Sequence, residues 1–120
     1  MEDSVMAWLG LILTWTQCLV FLLVCRSGAR PGSTPNPYAG IRLESTTRSP
    51  AAWQAAHRVG LKHARRLAAS ILLPSAIVMV FFPQAPTSVT VAEWVLAGVS
   101  LAWILVASSA ASRAALATEP

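Results

Sequence analysis

Residues 4–25 read SVMAWLGLILTWTQCLVFLLVC, 22 positions without one charged side chain. About 20 apolar residues in helical form cross the hydrocarbon core of a bilayer, so this run is long enough for one crossing. Working outward, Leu67 to Ala92 gives 26 uncharged residues and Trp94 to Ser112 another 19. The composition agrees, because 55% of the chain is hydrophobic and only 12% is charged, a balance that suits lipid better than water for a domain of this size. The expected fold is all-α: a three-helix transmembrane bundle forming a single membrane domain over residues 1–120. Its crossings are placed at 5–25, 67–82 and 92–112. A cytoplasmic loop and amphipathic helix fill 26–66, an outer turn 83–90, and a cytoplasmic tail 113–120.

The first run also has the length of a secretory leader, but its flanks differ. Met1-Glu2-Asp3-Ser4 is acidic where a leader carries Lys or Arg, and no small-x-small site closes the run at Leu22-Leu23-Val24-Cys25. Helix 1 is therefore expected to be retained. Eight of the nine cations, Arg26, Arg30, Arg42, Arg48, Arg58, Lys62, Arg65 and Arg66, fall between the first and second runs, and Arg113 follows the third. The positive-inside rule then puts the long loop and the C-terminus in the cytoplasm, and the N-terminus and the short turn outside. Trp8 and Trp94 fall at the outer interface in this arrangement, whereas Trp15 and Trp103 lie deeper.

Each run carries marks of packing. Gly10, Thr14, Gln17 and Cys18 share one side of the first helix, and an amide in hydrocarbon needs a partner on a neighbouring helix. Pro74 removes a backbone donor and crowds the carbonyl of Ser70, so a kink is expected there. Gly98 and Ala102 form a small-xxx-small pair on the third helix. Cys18 and Cys25, seven residues apart on one helix, are too distant for a disulfide. Three helices enclose little interior, so a homo-oligomer or a larger membrane protein complex is expected.

The loop divides in two. Gly28, Pro31, Gly32, Ser33, Pro35 and Pro37 make its first half irregular. Ser49-Pro50 then starts a helix, Ser49 as cap and Pro50 at the first helical position, which can run to about Phe82. Around that helix Trp53, Ala56, His57, Gly60 and Ala64 share one face, and Arg58, Lys62, Arg65 and Arg66 the other. The basic face suits anionic lipid headgroups, at roughly 1 kcal/mol per cation. The Trp53 face is left to receive protein, either the Gly40-Ile41-Arg42 segment or the first helix.

The series Asn36, Gly40, Ile41, Arg42, Thr46, Ser49, Trp53, His57, Gly60 resembles, in identity and spacing, the hallmark segment of the SdpI family of bacterial integral membrane proteins. Two hydrophobic helices follow it, as in that family, and the likeness extends over about residues 30–115. Against the founding type the chain looks like a short form, with one helix where that type has a multi-helix N-terminal region. Leu43-Glu44-Ser45 also replaces the Thr-Pro-aromatic stretch common after the motif's Arg. The resemblance implies a multi-pass protein of the bacterial cytoplasmic membrane. The family takes its name from an immunity protein that protects against a secreted killing peptide and holds a transcriptional repressor at the membrane. The nine motif positions are accordingly the expected partner-binding surface. Arg42 and His57 are expected to meet at one site, Arg42 as a fixed charge for an anionic group and His57 as a pH-dependent donor.

Catalysis finds no footing in the sequence. The acids Glu2, Asp3, Glu44, Glu93 and Glu119 are scattered, so neither a carboxylate pair nor a nucleophile-base set can be assembled from neighbours. His57 and His63 point to different sides of their helix with no cysteine nearby, which argues against a metal. The chain is read as a non-enzymatic receptor, immunity or signalling factor without cofactor or metal. Its expected partners are anionic lipid headgroups, further membrane protein and a cytosolic regulator. The alternative is a small accessory subunit of a larger membrane complex. Nucleic acid is not needed to explain the cations, which topology and lipid already account for.

Overall fold

The computed structural model describes residues 2–84 and 86–118. Met1, Ala85 in the outer turn, and Glu119 and Pro120 in the tail, to which the sequence reading assigns places, lie outside the described residues. Helix α1 spans Glu2–Gly28, a short α2 Glu44–Thr47, α3 Pro50–Leu67, α4 Leu73–Phe81 and α5 Thr87–Leu116. A π-helical turn at Ala68–Leu72 joins α3 to α4, so that Pro50–Phe81 is one continuous rod of 32 residues. The expected all-α architecture is present, with three helices long and apolar enough to cross a membrane.

The packing is that of a protein in lipid. Large apolar side chains face outward, among them Ile12, Leu23, Val80, Val95 and Leu105, while Ala7, Thr14, Cys18, Ala97, Ser100, Ala107 and Ala111 are buried between helices. Lipid tails are as apolar as leucine, so helix association there relies on close approach of small residues and on interhelical hydrogen bonds. Both are present. Gly10 abuts Glu93 so closely that an added Cβ would lie 3.2 Å from the Glu93 Cβ, and Gln17 Nε2 donates to the carbonyl of Ala97 at 2.8 Å. The side of α1 carrying Gly10, Thr14, Gln17 and Cys18 thus packs on α5, as expected.

Ahead of Pro74, where a kink is expected from the sequence, the ladder opens into the π turn at Ala68–Leu72. A missing N–H and a ring that collides with the carbonyl four residues earlier cannot sit in an unbroken α ladder, and a π turn widens the backbone in just that place. One end of the bundle is tied by Asp3 and Met6, whose carboxylate and carbonyls accept from Thr87, Thr90 and the Trp94 indole. Gly98 and Ala102 face away from the rest of the chain, and nothing lies within 4 Å of a Cβ built on Gly98. The other end carries the loop.

The bundle is 54 Å long, against about 30 Å of hydrocarbon core. The rod from Pro50 is itself about 48 Å at 1.5 Å per residue. About 18 Å of the rod therefore exceeds that core, and the excess falls at its amphipathic end, from Pro50, together with the loop.

Candidate functional site

Residues 29–49 leave α1, fold over the basic end and return to start α3, and the motif residues are what hold them there. Asn36 Oδ1 accepts from the amides of Tyr38 and Ala39 at 3.0 and 2.8 Å, an Asx turn that reverses the chain. Gly40 follows at φ +135°, in backbone space that side chains avoid. It is doubly required, because a Cβ there would lie 2.2 Å from the buried Trp53 ring.

Next, the Ile41 amide donates to His57 Nε2 at 2.9 Å. Because Nε2 accepts, the ring proton sits on Nδ1, which donates to the Trp53 carbonyl at 2.7 Å. The imidazole is fully buried and neutral with both nitrogens used. His57 lies ten residues before the apolar run at Leu67. Its pKa is lowered by burial, which the Trp53 carbonyl only partly offsets. The ring is tilted against that of Trp53 at a centroid distance of 4.2 Å.

Two glycines make room for this arrangement. A Cβ on Gly28 would fall 2.2 Å from the His57 ring, and one on Gly60 would fall 2.7 Å from Cys25 Sγ and 2.9 Å from Ile41 Cδ1. Thr46 Oγ1 donates to the Ile41 carbonyl and accepts from the Leu43 amide, so both backbone groups of the buried Ile41 are satisfied. Ser49 Oγ accepts from the Ala52 amide at 3.0 Å, the expected cap. The loop is also fastened to α5: Arg48 donates to the carbonyls of Ala115 and Thr118 at 2.8 and 2.7 Å, and Ser45 bonds Ser112 at 2.7 Å.

The predicted motif surface is therefore mostly interior. Ile41, Thr46, Trp53, His57 and Gly60 are buried, Gly40 and Ser49 half-buried, and only Asn36 and Arg42 exposed. Both alternatives for the occupant of the Trp53 face are realised, since the Ile41 segment and α1 both pack on it. The expected meeting of Arg42 and His57 is not formed: Arg42 Nη1 donates outward to the Pro37 carbonyl at 2.8 Å, while His57 is spent on internal bonds. They are linked only through the Ile41 backbone. What faces solvent is Tyr38, 93% exposed, in the turn that Asn36 closes and beside the Pro37 carbonyl that Arg42 holds; Leu43 and Glu44 are also exposed, on the side toward Ser112 of α5. Arg58, Lys62, Arg65 and Arg66 are exposed on the other side of α3.

Sequence reasoning missed Gly28, Tyr38, the role of Arg48 and one deeper group. Glu93, 1% exposed, accepts from Ser75 Oγ at 2.7 Å between α4 and α5. A lone acid flanked by two apolar runs was the available signal. Among the described residues no three His, Cys, Asp or Glu side chains come together as metal ligands.

The family model of the SdpI/YfhL protein family matches residues 33–110, from the loop through most of α5. No curated protein and no solved structure matches the chain.

Proposed function

The chain belongs to the SdpI/YfhL family, and from that premise we propose that it is a non-enzymatic receptor, immunity or signalling factor whose loop surface engages a protein partner. In this reading it resides in a bacterial cytoplasmic membrane with the loop on the cytoplasmic side, as the clustering of cations predicts. The motif residues act as the scaffold. The contact itself falls to Tyr38, Asn36, Arg42 and Leu43.

The observation that carries this is Tyr38. An aromatic ring left 93% exposed on a loop whose backbone is fastened at Asn36, Ile41 and Arg48 is pre-organised for docking. Tyr and Arg are the side chains that most often dominate binding energy, and holding them on a fixed loop lowers the ordering penalty of association. The Arg42 guanidinium, engaged with one carbonyl, retains donors for a carboxylate or phosphate on the partner.

A second reading, an accessory subunit of a larger membrane complex, is favoured by one feature: open Gly98 on the outward face of α5. Photo-crosslinking in native membranes separates the two. A crosslinker at Tyr38 that captures a soluble protein, with capture abolished by Arg42→Glu in a folded variant, supports the receptor reading. Stoichiometric capture from position 98 with none from 38 supports the subunit.

A further inference from the structure

We propose that Arg26 and Arg65 form a binding site for one anionic phospholipid at the seam of α1 and α3, with the lipid phosphate held between the two guanidinium groups. This goes beyond the partner reading and does not depend on it. It also differs from a diffuse attraction of Arg58, Lys62, Arg65 and Arg66 for headgroups, because it selects one of those four and adds a cation from another helix.

A cavity of about 360 Å³ opens on this seam, lined by Leu22, Leu23, Arg26, Leu61 and Arg65. Arg26 directly follows the uncharged run of α1, and Arg65 precedes the apolar run that starts at Leu67, so both sit at the boundary of the hydrocarbon core, where a lipid phosphate sits. Leu22 and Leu23 continue from the cavity toward the membrane interior and provide an apolar wall for an acyl chain. The ligand this combination fits is a phosphodiester with a hydrocarbon tail, since planar guanidinium forks bind phosphate oxygens in pairs.

The charge balance supports the choice. Asp3 and Glu93 are engaged at the opposite end of the bundle, with Thr87 and Ser75. The described acid at the basic end is Glu44, which lies beside Ser112 of α5 in a different cavity. The helices bearing the two arginines are held at fixed spacing by the close approaches of Gly60 to Cys25 and of Gly28 to His57. The cations are thus presented on a rigid frame.

The test uses the full-length protein in nanodiscs of phosphatidylcholine with a small fraction of phosphatidylglycerol, reading retained lipid by native mass spectrometry. The wild type should retain one phosphatidylglycerol in preference to phosphatidylcholine. Arg26→Gln/Arg65→Gln should weaken that retention at least about tenfold, the loss expected when charge-assisted hydrogen bonds are removed. Arg58→Gln/Lys62→Gln, which removes the same charge, should leave it within about twofold of wild type, since those residues do not line the site. Arg26→Lys/Arg65→Lys, which keeps the charge and loses the fork, should fall between, and it decides the matter if the Gln pair fails to fold. Equal losses in the two Gln pairs, or a Lys pair equal to wild type, would show diffuse electrostatics and overturn the site. Displacement of the lipid by millimolar inorganic phosphate would overturn the lipid assignment in favour of a free anion.

Discussion

The amide of Ile41 donates to Nε2 of His57 at 2.9 Å, and this buried bond joins the middle of the loop to the amphipathic helix behind it. It accounts for the residue types around it: glycine at 28, 40 and 60 because the ring, the indole and the isoleucine fill the space a Cβ would need, and threonine at 46 because the Ile41 carbonyl needs a donor.

His57→Phe fills similar volume and leaves the buried Ile41 amide without an acceptor. Leaving such a group unpaired costs about 1–3 kcal/mol. Thermal unfolding in mild detergent should show that loss, with the three long helices still formed by circular dichroism.

The pH dependence of stability follows from the same residue. Burial lowers the His57 pKa in the folded chain below its ordinary value of about 6.5. Below that value the unfolded chain binds the extra proton first, so stability is full at higher pH and declines as pH falls through the unfolded value toward the folded one. Unfolding midpoints at pH 8 and pH 5 should differ in the wild type and differ less in His57→Phe.

Gly40→Ala places a methyl group against Trp53 and forces a side chain into positive φ. Overpacking costs about 1–3 kcal/mol, with the backbone strain adding about 1–2. The loop should detach, seen as increased labelling of a cysteine at position 41. Gly32, also at positive φ but with open space around it, should tolerate Asn.

How much of this was legible in the sequence differs between local and distant features. The three crossings follow from uncharged runs, the start of α3 from Ser49-Pro50, and the two faces of α3 from helical spacing, because each of these depends on neighbours along the chain. Gln17 was readable as an interhelical donor because an amide in lipid needs a partner. Distant pairings were not readable. Arg48 reaches Ala115 across 67 residues, Gly28 is explained only by the His57 ring against it, and nothing near Glu93 in sequence names Ser75. The motif drew attention to residues that the structure brings together, and most of them lie in the interior rather than on a surface. Spacing alone does not distinguish a buried histidine that receives a backbone amide from an exposed one that receives a ligand.

Arg48→Ala should fray α5 without unfolding the bundle. It removes two charge-assisted bonds, one to Ala115 in the last turn of that helix and one to Thr118 just beyond it, where a cation also complements the helix dipole at about 0.3–1 kcal/mol. Hydrogen exchange should accelerate at residues 113–118 and remain unchanged at 95–105.

The most direct measurement is amide hydrogen exchange at Ile41, resolved by fragmentation in mild detergent. If the motif builds a docked loop with Tyr38 and Arg42 as its free face, the Ile41 amide in the wild type exchanges as slowly as amides of the bundle core, and His57→Phe releases it while α1 and α5 stay protected. Rapid exchange at Ile41 in the wild type, or protection unchanged by His57→Phe, would contradict it and return the loop to a flexible tether.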